Sequence, residues 1–215
     1  LAFRYLLLDL DNTLYPKSSG LLPAVDGKID AYIQLKLGWD AQKLTVMRRQ
    51  YWKEYGTTLS GMIVHHGTDP EEYIRMTYDL DVSRYISADA RLEQTLHAIE
   101  LPKIVFSNSP REYVERVLKV LGIDGLIEAV YDIRFCNYFG KPNPDSYRKV
   151  LSHLQASGEE CIFVDDSRVN VIGAEAVGMT AVWLTDSPGD TAWSIAQIYD
   201  LPQCLEKIRQ ARLSA

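Results

Sequence analysis

The stretch Tyr5-Leu6-Leu7-Leu8-Asp9-Leu10-Asp11-Asn12-Thr13-Leu14-Tyr15 sets two carboxylates directly after a short apolar run. Side chains two apart on a strand leave the same face, so Asp9 and Asp11 aim at one small volume. Two like charges that close repel, and one of them should have a raised pKa unless a proton is shared or a cation intervenes. A hard divalent ion such as magnesium, which prefers a few carboxylate oxygens together with water and phosphate oxygens, answers that demand. A pair of solvated acids at a strand end is the competing reading, and the doublet alone does not choose between them.

Three further stretches combine an apolar run or a restricted backbone with reactive side chains. Ser107-Asn108-Ser109 follows Ile104-Val105-Phe106, and Ser109-Pro110-Arg111-Glu112 has the form of a capping box. With Ser109 as the N-cap, Ser107 and Asn108 remain for a phosphate at the head of the helix. Gly140-Lys141-Pro142 holds a lysine whose backbone is restrained by Pro142 and Pro144. Asp165-Asp166-Ser167 follows Ile162-Phe163-Val164, and adjacent strand residues point to opposite faces, so the two acids cannot serve one ion equally. The alternative for that pair is a helix N-cap.

Taken in order, the four stretches resemble the motifs of the haloacid dehalogenase superfamily of phosphatases, over roughly residues 3–15 and 89–185. The closer resemblance is to its pyrimidine 5′-nucleotidase-like branch, because Pro16 is followed by Ser18-Ser19-Gly20 and later by Tyr55-Gly56-Thr57-Thr58-Leu59. The resemblance implies that Asp9 is a nucleophile forming an aspartyl-phosphate and that Asp11 serves as acid and then base. It makes Ser107 and Lys141 the other catalytic residues, with Asn12, Ser107, Asn108 and Lys141 around the phosphate. Its cofactor is Mg2+, held by Asp9, Asp11, Asp166 and Asp165, with Asp166 the direct ligand and Asp165 acting through a water or an outer contact. Asn170 supports that loop.

The implied activity is hydrolysis of a small phosphate ester, with a pyrimidine nucleoside 5′-monophosphate as the branch's substrate. Two departures separate the nucleotide assignment from the phosphatase one: Ser107 stands where the branch commonly has threonine, and residues 130–139 do not carry its usual sequence. A phosphomutase of the β-phosphoglucomutase type or a sugar-phosphate or phosphoglycolate-type phosphatase shares the same core residues. A phosphometabolite-binding scaffold is the non-enzymatic alternative, and Asp11 disfavours a true dehalogenase.

The elements that must position these residues follow from periodicity. After Tyr15 the pattern turns helical: Val25, Ile29, Ile33 and Leu37 recur near a 3.6-residue period up to Gly38. A second helix behind Asp40 places Leu44, Met47, Tyr51 and Tyr55 on one face, opposite a basic one, and ends at Gly56. A short helix over 57–66 and another from Asp69-Pro70 to about residue 80 complete an all-helical cap over 16–88. Tyr32, Tyr51, Trp52 and Tyr55 could stack on a base, although helical spacing favours core; His65 and His66 diverge and read as surface or pocket polarity. Ser18, Ser19, Tyr55, Thr57 and Thr58 are the cap residues expected nearest the leaving group.

From residue 89 strand and helix alternate: helix 90–99, strand 103–107, a helix after Ser109, strand 129–133, helix 144–154, strand 161–164, helix 169–177, strand 180–184. A polar loop from Ser187 and a last helix over 202–212 close the chain. The expected fold is α/β, a Rossmann-like parallel sheet core over 1–15 and 89–215, with ligands at the carboxyl ends of the strands.

Bulk properties bound the partners. At 215 residues, 47% hydrophobic and 24% charged, the composition is that of an ordinary folded chain. A formal net charge of −6 disfavours a nucleic-acid polymer. The three cysteines, Cys136, Cys161 and Cys204, form no CxxC and support neither a disulfide framework nor a zinc site. With no charged leader and no apolar run of about 18 residues, a cytoplasmic protein without a membrane span is expected. It is expected to be a monomer or weak homodimer acting on a small-molecule phosphate ester.

Overall fold

A computed structural model describes residues 2–187 and 192–214. Strand β1 (Tyr5–Leu8) is followed by α1 (Leu21–Leu37), α2 (Ala41–Tyr55), α3 (Thr58–His66) and α4 (Pro70–Thr77). Then come α5 (Ala90–His97), β2 (Lys103–Phe106), α6 (Arg111–Leu121), β3 (Ala129–Tyr131), α7 (Pro144–Leu154) and β4 (Cys161–Asp165). The chain ends with α8 (Arg168–Glu175), β5 (Thr180–Leu184), β6 (Ser194–Ile195) and α9 (Leu201–Leu213). Among the described residues no helix is long and apolar enough to cross a membrane.

The six strands pair in parallel in the order β3-β2-β1-β4-β5-β6. β1 lies between β2 and β4 with helices over both faces of the sheet, and Leu6, Leu7 and Leu8 are fully buried. That is why an unbroken apolar run, rather than an alternating one, marks it in the sequence. Leu6 and Leu8 pack with Val105, Val164 and Val182 toward α6 and α9, while Leu7 packs with Phe106, Phe163, Tyr147 and Val171 beneath α7 and α8. The strand order reverses at β1, which opens a crevice beyond the carboxyl ends of β1, β2 and β4.

Between β1 and α5 the described chain forms helices and loops and no strand, with α1–α4 joined by short turns. The side chains of Asp40, Thr57 and Asp69 cap α2, α3 and α4, and left-handed Gly38 and Gly56 end α1 and α2. Helix α4 stops at Thr77 rather than near residue 80, because Tyr78 leaves helical geometry and its ring packs on Tyr113 of the core, 5.1 Å between centroids. The tail contains a two-residue strand, β6, where a loop was expected; residues 188–191 of that expected loop lie outside the described residues.

The stretch 130–139, which matched no motif, supplies much of the tie between helices and sheet. Arg134 donates to both carboxylate oxygens of Glu71 at 2.7 Å, the Tyr138 hydroxyl donates to the same group at 2.8 Å, and Ser60 Oγ donates to the Tyr138 carbonyl at 2.6 Å.

Candidate active site

Asp9 stands at the end of β1, where its main-chain N–H still donates to Val164 O at 2.9 Å and so continues the sheet. The residue is 7% exposed. One carboxylate oxygen accepts from Lys141 Nζ at 2.7 Å and the other from Thr13 Oγ1 at 3.1 Å. The turn that returns Thr13 to Asp9 passes through Asn12 with φ +61, a left-handed conformation that asparagine tolerates better than most residues.

Lys141 comes from a loop, yet its position is tightly determined. Its N–H donates to Asn108 Oδ1 and its carbonyl accepts from Asn108 Nδ2, both at 2.8 Å. The preceding residue must be glycine, since a Cβ at Gly140 would lie 2.1 Å from Asn108 Oδ1. The side chain runs between Phe106 and Phe163, with Nζ 5.2 and 5.1 Å from their ring centroids, and reaches Asp9 and Asp165 at 2.7 Å each. Burial alone would lower its pKa, but Asp165 and Asp9 carry the ammonium above its ordinary value.

The two acids after β4 are held differently. Asp165 is fully buried, and its oxygens accept from Lys141 Nζ, from Ser167 N at 2.8 Å and from Asn170 Nδ2 at 3.1 and 3.0 Å. Burial raises its carboxyl and Lys141 works against that rise. Asp166 faces the crevice and meets Lys17 Nζ at 3.2 Å, while its carbonyl accepts from Trp183 Nε1 at 3.0 Å. Asp9, Asp165 and Asp166 each bring one carboxylate oxygen within 4.8 Å of the others. Hard oxygen donors so grouped fit magnesium. Each Asp165 oxygen already accepts from two protein donors, against one on each Asp9 oxygen and Lys17 alone on the Asp166 carboxylate, so Asp9 and Asp166 have the freer acceptor capacity.

Asp11 lies outside that trio. Its carboxylate accepts from Ser109 Oγ at 2.6 Å, from the Tyr113 hydroxyl at 2.9 Å and from the Tyr15 hydroxyl, and the two phenolic oxygens are 3.1 Å apart. Burial, then the charge on Asp9, push it up to about 6, against the pull of the three hydroxyls.

Two sequence assignments change. Ser109 does not cap α6: Pro110 occupies the N-cap, Asp132 Oδ2 accepts from Arg111 N at 3.0 Å, and the freed Ser109 hydroxyl serves Asp11. The side-chain amide of Asn108 is not free for phosphate, because it is spent in both directions on the backbone of Lys141. Ser107 is buried and its Oγ accepts from Ser109 N at 3.0 Å.

These groups form the floor of a cavity of about 660 Å³ whose roof is α1–α4. Asp9, Asp11, Asn12, Asn108, Lys141 and Asp166 line it, whereas Ser107 and Asp165 stand behind the wall. Of the cap residues expected near the leaving group, Thr57 and Thr58 line it; Ser18 opens instead on a neighbouring cavity, and the Tyr55 hydroxyl pairs with His65 at 2.9 Å. Tyr32 and Tyr51 are core, as their spacing suggested, but Trp52 is half-exposed and lines the cavity.

Residues 3–178 match the model of the haloacid dehalogenase-like hydrolase family. The chain belongs to this family. Phosphate metabolism protein 8 of Saccharomyces cerevisiae is 27% identical over 197 residues, 83% of this chain and 60% of that protein. This haloacid dehalogenase-like hydrolase therefore spans well under two thirds of the yeast relative's length. The phosphoglycolate phosphatase of Pectobacterium atrosepticum is 27% identical over 194 residues, 86% of this chain and 81% of that enzyme. Among solved structures, a haloacid dehalogenase-family phosphatase from Thermococcus onnurineus superposes with a TM-score of 0.64 at 19% identity, covering 94% of this chain and 98% of the other. At that identity the match speaks for the fold.

Proposed function

We propose that this haloacid dehalogenase-like hydrolase is a magnesium-dependent phosphomonoester hydrolase working through an aspartyl-phosphate on Asp9. In the first step an Asp9 oxygen attacks phosphorus, the ester P–O bond breaks, and the leaving alkoxide takes the proton of Asp11. In the second, water attacks the phosphorus of phospho-Asp9 and gives its proton to Asp11, which frees inorganic phosphate and restores both acids. Lys141 fixes the attacking carboxylate and helps offset the phosphoryl charge. Asp9 and Asp166 would hold magnesium, which would supply further neutralisation of the phosphoryl oxygens and of the acids themselves.

The observation that carries the reading is the division of labour between the two acids of the first motif. Asp9 is bound to an ammonium, and Asp11, on the same cavity floor, is held near 6 by burial and by Asp9, in the range a proton shuttle needs. The match at Tyr55-Gly56-Thr57-Thr58-Leu59 extends the proposal to a pyrimidine nucleoside 5′-monophosphate as substrate.

The test is phosphate release from a broad ester panel with magnesium, with EDTA, and with Asp9→Asn. Release should require the metal and fall by about 10³-fold or more in the variant. Unchanged turnover by Asp9→Asn would remove Asp9 from its role. Isomerisation of a hexose 1-phosphate without phosphate release would place the chain with the phosphomutases, and binding without turnover would leave a scaffold.

A further inference from the structure

The cavity is far larger than the acids on its floor require, and its roof has a different chemistry. Leu22 and Ile29 from α1, Leu59 from α3 and Ile74 from α4 give it an apolar wall. A phosphoryl group gains nothing from such a wall; a leaving group with an apolar surface does. Beside it α2 presents Arg48, Arg49 and Trp52.

The two arginines are not equivalent. Arg48 is bound by the carboxylates of Asp26 and Asp30, and donates further to the Asp26 carbonyl at 3.4 Å. Its guanidinium is committed to holding α2 against α1. Arg49 is exposed, lines the cavity, and takes part in no ion pair or side-chain hydrogen bond among the described residues. Trp52 lies three residues on, so the two share one helix face. Trp52 is 51% exposed, whereas Tyr51 beside it is 1% exposed and belongs to the core. A half-exposed indole and an uncommitted set of planar N–H donors, one helical turn apart and lining the same cavity as the apolar wall, suit a flat ring with acceptor oxygens on its edge.

We infer that Trp52 and Arg49 are the specificity-determining pair of this enzyme, and that they select phosphate esters whose alcohol carries a planar, carbonyl-bearing ring: the ring stacks on the Trp52 indole and its edge oxygens accept from Arg49. The inference rests on the hydrolase reading above and adds what the roof recognises. It separates this chain from enzymes whose leaving group is a small acid or a bare sugar, for which neither side chain has a partner.

Uridine 5′-monophosphate and ribose 5-phosphate make a matched pair of probes, since the same primary alkoxide departs from both and only the ring differs. The readout is the ratio of their kcat/KM values with the full chain and magnesium. The wild-type ratio should favour the uridine ester by tenfold or more, and Trp52→Ala should lower it by about tenfold or more, the scale of one base stacked on one aromatic ring. Trp52→Phe, which keeps a ring face, should recover most of the ratio, and Arg49→Leu should lower it severalfold. Independently, uridine 5′-monophosphate should quench the tryptophan fluorescence of Asp9→Asn protein, and that quench should vanish in Asp9→Asn with Trp52→Phe.

Equal turnover of both esters by the wild type, or a preference that survives Trp52→Ala and Arg49→Leu, overturns the inference and leaves hydrolysis standing. Quenching through Trp52 without hydrolysis of any ester of the broad panel supports ring recognition and overturns the hydrolase reading. Neither quenching nor hydrolysis overturns both.

Discussion

Lys141→Met removes the ammonium that lies 2.7 Å from both Asp9 and Asp165 while keeping most of the side-chain volume. Asp165 is fully buried and cannot turn to water for compensation, and Asp9, 7% exposed, meets it only at the cavity floor. Removing one partner of a buried ion pair costs about 3–5 kcal/mol, chiefly because the remaining charge is left uncompensated. The upper part of that range applies here, because one cation serves two acids and Asp166 brings a third oxygen within 4.8 Å of theirs. For a chain of this size each kcal/mol moves Tm by about 2–4 °C, so a fall of roughly 6–20 °C is expected. The assay is thermal unfolding of metal-free protein in EDTA near neutral pH, followed by circular dichroism. Adding Asp165→Asn to Lys141→Met should raise Tm again, since the amide still accepts from Ser167 N and removes one of the unpaired charges. A Lys141→Met protein that melts within about 2 °C of the wild type, or a double variant whose losses simply add, would refute the reasoning.

Glu71 offers a pH test away from the acids of the floor. Hydrogen bonds from Arg134, opposed by slight burial and aided by Tyr138, hold its carboxyl down to about 2 from an ordinary 4.5. A folded-state pKa below the unfolded one means stabilisation that is complete above about 4.5 and lost as pH falls toward 2. The Tm gap between the wild type and Glu71→Gln should therefore be steady above pH 5 and close below it, by scanning calorimetry across pH; a gap as wide at pH 3 as at pH 7 contradicts the assignment. Gly56 and Gly38 make a second comparison, because both have positive φ, +81 and +63, but a Cβ at Gly56 would lie 2.5 Å from the Lys141 carbonyl and one at Gly38 meets nothing within 4 Å. Gly38→Ala should cost only the left-handed strain of about 1–2 kcal/mol, whereas Gly56→Ala should cost more and also lower kcat. Equal Tm losses and equal turnover would show that Gly56 does not bear on Lys141.

The buried strands were legible because parallel strands covered on both faces must be apolar throughout, and Leu6-Leu7-Leu8, Ile104-Val105-Phe106 and Ile162-Phe163-Val164 are. Acids following two of those runs were expected at a crevice; Asp9 and Asp166 line it, whereas Asp165, directly after the β4 run, stands behind its wall. Local patterns failed where a distant group competed. Ser109 had a capping-box partner at Glu112, but Asp11, 98 residues away, takes its hydroxyl, and a charged acceptor outweighs a helix-end N–H that Asp132 can serve from the side. The amide of Asn108 went to the backbone of Lys141, 33 residues on, a contact with no trace in either segment alone. The turn through Asn137 and Tyr138, both at positive φ, has no periodicity to read, so the attachment of α4 through Arg134 and Glu71 was invisible. Arg49 and Trp52 lay within a recognisable helix, but which of its residues face a cavity depends on how α1 and α3 pack beside it.

In the proposed reaction, the three hydroxyls around Asp11 would let one carboxyl both give and receive a proton at a fixed position. When it is ionised, Tyr15, Tyr113 and Ser109 all donate to it, and no lone pair facing them is left without a partner. When it is protonated, it accepts one hydrogen bond fewer, and a donor must turn elsewhere or lose its partner, at the cost of burying an unsatisfied group. The 3.1 Å separation of the Tyr15 and Tyr113 oxygens supplies the alternative, since either phenol can donate to the other. Tyr15 comes from the loop after β1 and Tyr113 from α6, the latter packed under Tyr78 at the edge of the helical roof, so both are rigidly held. The hydrogen-bond count therefore closes in both proton states by rotation of a hydroxyl alone, without movement of the backbone that also positions Asp9.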